Sequence, residues 1–201
     1  MKKQTSLSVI TLLVFLFSAY ASAGDTLRNI GNGPGNTQPN SASFGKSLDG
    51  WMEAYLVWFD AGADPDYVDG NVAFLPIVGE SPFEVEVAPG TAFVLPIATW
   101  LGISADEDPL PDDWWGDRDH IFGDVYLDGQ PIAVPNEDYY IGPTTLDPPI
   151  LGGNDFYQAL VVVIPPLTPG LHEIVLHAEF VDFGAAFDNT WYITVTPPGK
   201  R

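Results

Sequence analysis

Two adjacent stretches of the chain carry opposite hydrophobic patterns. Residues 156–164 (FYQALVVVI) are apolar on both parities: Phe156, Leu160, Val162 and Ile164 on one face, Tyr157, Ala159, Val161 and Val163 on the other. A nine-residue run rich in β-branched side chains fits a strand covered on both sides better than a surface helix. Pro165, Pro166 and Pro169 then remove ladder donors, and Gly170 offers a positive φ. Residues 171–180 (LHEIVLHAEF) alternate instead. His172, Ile174, Leu176, Ala178 and Phe180 share one face; Leu171, Glu173, Val175, His177 and Glu179 share the other. One buried and one wet face is the pattern of an antiparallel sheet packed on a second layer. Together the two stretches predict a hairpin that forms the spine of the domain.

Shorter strand-like runs precede and follow it. Residues 83–87 alternate, with Phe83, Val85 and Val87 inward and Glu84 and Glu86 outward. Residues 72–78 and 91–99 are apolar but contain Pro76 and Pro96, which predicts edge positions or bulges there. Residues 125–127 and 132–134 flank Asp128-Gly129, a hairpin turn signal. Residues 137–153 read mostly as turn, with a short strand at 139–141. Residues 190–196 close the domain, with Trp191, Ile193 and Val195 opposite Tyr192 and Thr194.

One segment has helical period. In residues 47–61 the side chains Trp51, Tyr55, Trp58 and Phe59 fall at i, i+4, i+7 and i+8, forming one apolar stripe. Ser47 or Asp49 can cap it and Gly62 can end it. The stripe is expected to pack across an open end or edge of the sheets; a stacking platform for sugars is the sharper alternative. The fold class this predicts is all-β: an antiparallel two-sheet β-sandwich of about eight to nine strands over 47–197, with one N-terminal amphipathic helix. A barrel is the alternative.

The first residues change the picture of where the chain acts. Lys2 and Lys3 precede an apolar run over 7–20 that ends in Ala21-Ser22-Ala23. This is the pattern of a secretory signal peptide (1–23) cleaved after Ala23, and the run is short for the roughly 20 residues of a membrane span. It predicts a secreted or periplasmic protein with no membrane association after cleavage. Residues 24–46, rich in Gly, Asn, Pro and Ser, read as a flexible leader, and 198–201 as a short tail.

Charge narrows the partners. Of seven basic residues, Lys2 and Lys3 leave with the signal, so five face 27 acidic residues and the formal charge is −22. Nucleic acid and anionic membranes are disfavoured by sign. The electrostatic partners this charge favours are cations, calcium above all, or the salt of a saline habitat, with solubility alone as the alternative; a glycan or another extracellular protein stays open as a partner. The chain has no cysteine. That removes disulfides, thiol catalysis and thiolate metal sites.

The order of motifs resembles a group of exported bacterial proteins of unknown function. The residues that carry the resemblance are Trp51 and Trp58; Pro65 and Asp69; Leu75-Pro76; Val87, Pro89-Gly90 and Pro96; Leu167, Pro169-Gly170, His172 and Ile174; and Tyr192 with Thr194-Val195. They span the chain from about Trp51 onward. The resemblance implies a secreted β-sandwich and brings no activity with it.

Residues 101–122 break the strand pattern and hold the candidate site. Asp106, Glu107, Asp108, Asp112, Asp113, Asp117 and Asp119 offer the dense carboxylate oxygens that calcium takes, though in no named calcium-loop spacing. A solvated acidic rim is the alternative reading. Asp60, Asp64, Asp66 and Asp69 form a weaker version. Trp114 and Trp115 lie within the loop. Adjacent residues of an extended chain point apart, so one can anchor the loop while the other meets solvent or a sugar ring; the leading reading is that both are packed. His120 can act as a ligand or base, and His177 shares a face with Glu179. His172 reads as a hydrogen-bonded core histidine. The leading expectation is a non-catalytic protein that binds calcium and a surface glycan through Trp114, Trp115, His120 and the loop acids. A structural or surface-assembly component comes next, and a carbohydrate-active enzyme using loop carboxylates and His120 follows.

Overall fold

The computed structural model describes residues 44–77, 81–103, 106, 109–133 and 137–196. The expected signal peptide, the leader as far as residue 43, and the tail lie outside the described residues. In chain order the described residues form helix α1 (Leu48–Asp60) and strands β1 (Val68–Asp69), β2 (Val72–Phe74), β3 (Phe83–Val87), β4 (Ala92–Gly102), β5 (Ile121–Leu127), β6 (Gln130–Ala133), β7 (Tyr140–Ile150), β8 (Asn154–Ile164), β9 (Gly170–Phe180) and β10 (Ala185–Val195). Short 3-10 turns sit at Asp112–Trp114, Glu137–Tyr139 and Val181–Phe183. The described residues are mostly β, with two sheets and one helix.

The first sheet runs β1-β2-β4-β8-β7 and the second β3-β10-β9-β5-β6. Most pairs are antiparallel, but β2 with β4 and β3 with β10 are parallel, so both sheets are mixed rather than purely antiparallel. The inward parities of the two sheets meet in one buried cluster. Leu95, Ile97, Leu160, Val162 and Ile164 come from the first sheet; Ile121, Val125, Ile174, Leu176, Ala178, Trp191, Ile193 and Val195 come from the second. The layers approach closely at Gly123, where a Cβ would stand 2.5 Å from Ile97 Cγ2 and 3.0 Å from Ala178 Cβ. Trp191 Nε1 donates to Pro76 O at 2.9 Å, tying β10 to the segment after β2.

The predicted central hairpin does not form. β8 pairs with β4 and β7, while β9 pairs with β10 and β5, so residues 165–169 cross between sheets. The faces explain it. β8 needs cover on both sides, whereas β9 carries His177 and Glu179 that need water on one side. Side by side in one sheet, one of the two would have its outer face in the wrong surroundings.

Cover for the outer face of the first sheet is α1. Trp51, Met52, Tyr55, Leu56 and Trp58 are buried with Val72, Phe74, Ile141, Leu146, Tyr157, Ala159, Val161 and Val163. The Phe74 ring meets Trp51, Tyr55 and Trp58 at centroid distances of 6.3, 5.8 and 5.4 Å. The stripe therefore lies on a sheet face, not across an end or edge, and its buried rings offer no sugar platform. Ser47 holds the N-cap position with extended backbone but makes no side-chain cap bond. Gly62, at φ 105°, follows the helix end.

Two proline effects are visible. Pro96 lies inside β4, at a register shift between Pro96 and Ala98, as a bulge allows. The short strand expected at 139–141 extends through residues expected as turn to form β7, Tyr140–Ile150, at the sheet edge. Pro143, Pro148 and Pro149 are tolerated there because an edge strand pairs on one side only, and its pairing with β8 is interrupted twice. The Asp128-Gly129 turn takes positive φ at both residues, 50° and 74°.

Candidate functional site

Residues 109–120 join β4 to β5 and are held by one buried amide. Gln158, the one polar residue in the apolar run of β8, is fully buried. Its Nε2 donates to Leu110 O (2.9 Å) and to the Tyr140 hydroxyl (2.8 Å), and its Oε1 accepts from Leu110 N (2.7 Å). Tyr140 in turn donates to Asp112 Oδ1 at 2.5 Å. Burial first, and then the Asp112 carboxylate, push the Tyr140 phenol well above its ordinary value, so it stays a donor.

Trp115 completes the anchor. It stacks on Tyr140 (5.3 Å) and meets the edge of Phe180 (6.4 Å). Its Nε1 is buried without a partner among the described residues. Leaving that donor unmet costs about 1–3 kcal/mol, less than the roughly 4–6 kcal/mol from burying 150–250 Å² of indole at 25 cal/mol/Å². Trp115 is thus the loop's anchor and presents no ring to a ligand. Trp114 is half-buried and lies flat on His120, with ring centroids 4.8 Å apart and planes 4° apart.

His120 joins this loop to the turn after β9. Its Nδ1 pairs with Asp182 Oδ2 at 2.8 Å, and Val181 N donates to His120 O at 2.7 Å. The bond to Asp182 lifts the His120 imidazole above its ordinary value; burial opposes it, and the charges of Asp182, Asp117 and Asp113 add to the rise. Phe183 stacks on Trp100 at 5.3 Å. Ile103, Val181 and Phe183 are 61%, 42% and 39% exposed, so one end of the molecule presents apolar surface among acids.

The acids grouped by the sequence are engaged separately. Asp112 accepts from Tyr140, and Asp117 Oδ1 accepts from Asp119 N at 2.9 Å. Asp106, Asp113 and Asp119 are exposed, and Glu107 and Asp108 lie outside the described residues. In the weaker acidic segment, Asp60 accepts from Leu151 N, Asp64 accepts from Asp66 N, and Asp69 pairs with Lys46. Among the described residues no group of three or more His, Asp or Glu side chains is arranged to hold a metal ion.

The other two histidines serve the second sheet. His172, on the inward parity, pairs through Nδ1 with Asp128 (2.8 Å) and through Nε2 with Thr168 O (2.8 Å). On the outer face, Asp124, His177 and Asp188 stand in one cross-strand row. His177 contacts Asp188 through Nδ1 and Glu179 through Nε2, both at 2.8 Å. Burial pulls its imidazole down, but Asp188 and Glu179 outweigh that and raise it. Arg118 forks onto Asp124 at 2.8 and 3.1 Å.

Asp182, Phe183, Trp100, Tyr140 and Gln158 were not legible as site residues. Only Gln158 carried a signal: a polar side chain inside a strand covered on both faces must find buried partners.

Over the described residues these features define a mostly β protein of two sheets and one helix with an acid-rimmed aromatic end. Compared with protein-family models and with curated protein sequences, the chain matches none. Among the described residues no helix is long and apolar enough to cross a membrane.

Proposed function

We propose that the chain is an exported, non-catalytic two-sheet β-sandwich that binds a neutral extracellular glycan at the end formed by residues 100–103, 110–120 and 181–183. The observation that carries this reading is the Gln158–Leu110–Tyr140–Asp112 network, which holds the loop in one arrangement beside exposed apolar side chains. A loop ordered before binding does not charge its ordering entropy to the complex. Sugars match such a surface: their hydroxyls donate to carboxylates while their C–H faces lie on Phe183 and Val181. Anionic sugars are repelled by the same acids. Export rests on the N-terminal pattern of 1–23.

The test is calorimetric titration with cellohexaose, mannohexaose and chitohexaose against hyaluronan hexasaccharide, each in calcium and in EDTA. Binding of a neutral sugar and none of the anionic one is expected. No binding, or preference for the anionic sugar, would refute the reading. Calcium is the second arm. A cation at 100 times its Kd would add about 2.7 kcal/mol of stability, and equal melting temperatures in calcium and EDTA would remove calcium from the account. The exposed Ile103, Val181 and Phe183 also suit a protein partner, which concentration-dependent sedimentation would reveal.

A further inference from the structure

Among the described residues the two sheets end in the edge strands β1, β7, β3 and β6. Three of these edges are blunted. β1 is two residues long. β6 has four residues and carries Pro131. β7 carries Pro143, Pro148 and Pro149, and its ladder is broken twice. Short edges and prolines keep a sheet from adding a strand. β3 has neither device. It is five residues without a proline, and all five pair with β10 without a register shift. Val87 O accepts from Thr196 N at 3.0 Å, so Phe83, Val85 and Val87 turn their backbone groups toward β10. By alternation the N–H and C=O groups of Glu84 and Glu86 point out of the open edge, and none of them meets a backbone partner among the described residues.

We propose that the β3 edge is a docking site for an extended segment of a partner protein in which lysine or arginine alternates with apolar residues, added to the five-stranded second sheet as a further strand. The backbone groups of Glu84 and Glu86 offer two donors and two acceptors, which an extended chain satisfies. On one side of the edge Phe83 and Val85 lie half-buried against the core, so apolar side chains of the added strand continue that row. On the other side Glu84 and Glu86 are exposed and favour cations at the alternate positions. Glu86 Oε1 accepts from Thr196 Oγ1 at 2.8 Å, which holds that carboxylate at the edge. A second copy of this chain is the occupant that the charges oppose. It would set glutamate against glutamate, in a chain with 27 acidic and seven basic residues. The site is separate from the glycan reading and does not depend on it.

The test titrates three capped heptapeptides into the isotope-labelled protein: alternating KVKVKVK, its block isomer KKKKVVV, and EVEVEVE. The alternating basic peptide is expected to bind, with amide shifts centred on residues 83–87 and 191–195. The block isomer, equal in charge, should bind about tenfold more weakly, and the acidic peptide should not bind. Glu86→Pro removes one edge N–H and no bond to β10, so it should cost about tenfold in affinity at an unchanged melting temperature. The double variant Glu84→Lys, Glu86→Lys should transfer the preference to the acidic peptide. N-methylating the lysines of KVKVKVK in one peptide and the valines in another should abolish binding in one and spare it in the other, a readout that needs no variant to fold. No binding of KVKVKVK, equal binding of the two basic isomers or of the two N-methylated peptides, or shifts centred away from β3 overturns the proposal and leaves the glycan reading untouched.

Discussion

The outer faces of the two sheets have little in common. The first sheet turns Tyr157, Ala159, Val161 and Val163 outward, and α1 buries them under Trp51, Tyr55 and Trp58. The second turns Glu84, Glu86, Asp124, His177, Glu179 and Asp188 outward, with no helix over them among the described residues. One face is stabilised by apolar area removed from water, the other by polar pairs that stay near it. The difference teaches where stability and where chemistry reside. Burial of an aromatic face is worth kcal/mol per side chain. Exposed ion pairs contribute at most about 1 kcal/mol each and respond to pH and salt. The candidate site sits at the boundary of the two regimes: Trp115 and Gln158 are buried, and Trp114, His120 and Asp182 lie at the surface.

The sharpest break of this comparison is a pair of alanine substitutions. Trp51→Ala should cost about 3–5 kcal/mol, because a fully buried indole leaves a cavity between α1 and the sheet. His177→Ala on the opposite face should cost about 1 kcal/mol or less. Urea unfolding of both variants checks it, and equal costs would show that the second face is not the weakly coupled one.

Gln158→Leu ranks next. It strands Leu110 N–H and C=O, and about 1–3 kcal/mol is expected from the unmet backbone groups. Amide hydrogen exchange should quicken at residues 110–116 while the strands of the second sheet stay protected. Unchanged exchange there would mean that the loop is held by other contacts.

The smallest effect is the pH dependence. Asp128 raises His172, against a smaller effect of burial, and the pairs of His177 raise it despite burial. Stability from a raised histidine is complete below the unfolded value of 6.5 and is lost as pH rises through the folded value. Burial works to raise Asp128, but His172 and Glu173 N outweigh it and lower it from 3.8, so its contribution is present above 3.8 and is lost as pH falls through the folded value. The His172–Asp128 pair is therefore strongest between about 4 and 6.5. Unfolding free energy should fall by about 1 kcal/mol between pH 6 and 9, and a rise over that window would contradict these pairs.

Much of this division was legible in the chain. Two apolar parities in 156–164 announced a strand covered on both sides, and alternation in 83–87 and 171–180 announced one wet face. The stripe from Trp51 to Phe59 announced a helix with one buried side. The sheet partner of each strand was not legible, because a local pattern states what a strand needs and not which element supplies it. β7 was hidden by prolines that only an edge strand tolerates. In the site, Trp115 is the buried anchor, and Trp114 packs half-buried against the same core and on His120, which is the reading with both rings packed rather than one anchored and one outward. Asp182, the partner of His120, lies 62 residues away in sequence and had no signal of its own.

The most direct test of the proposed surface is a map of amide chemical-shift changes as cellohexaose, mannohexaose or chitohexaose is titrated into the isotope-labelled protein. Changes confined to residues 100–103, 110–120 and 181–183 are predicted. Changes centred on the outer face of the second sheet, around His177 and Tyr192, would contradict it and move the binding surface to the other polar region of the molecule.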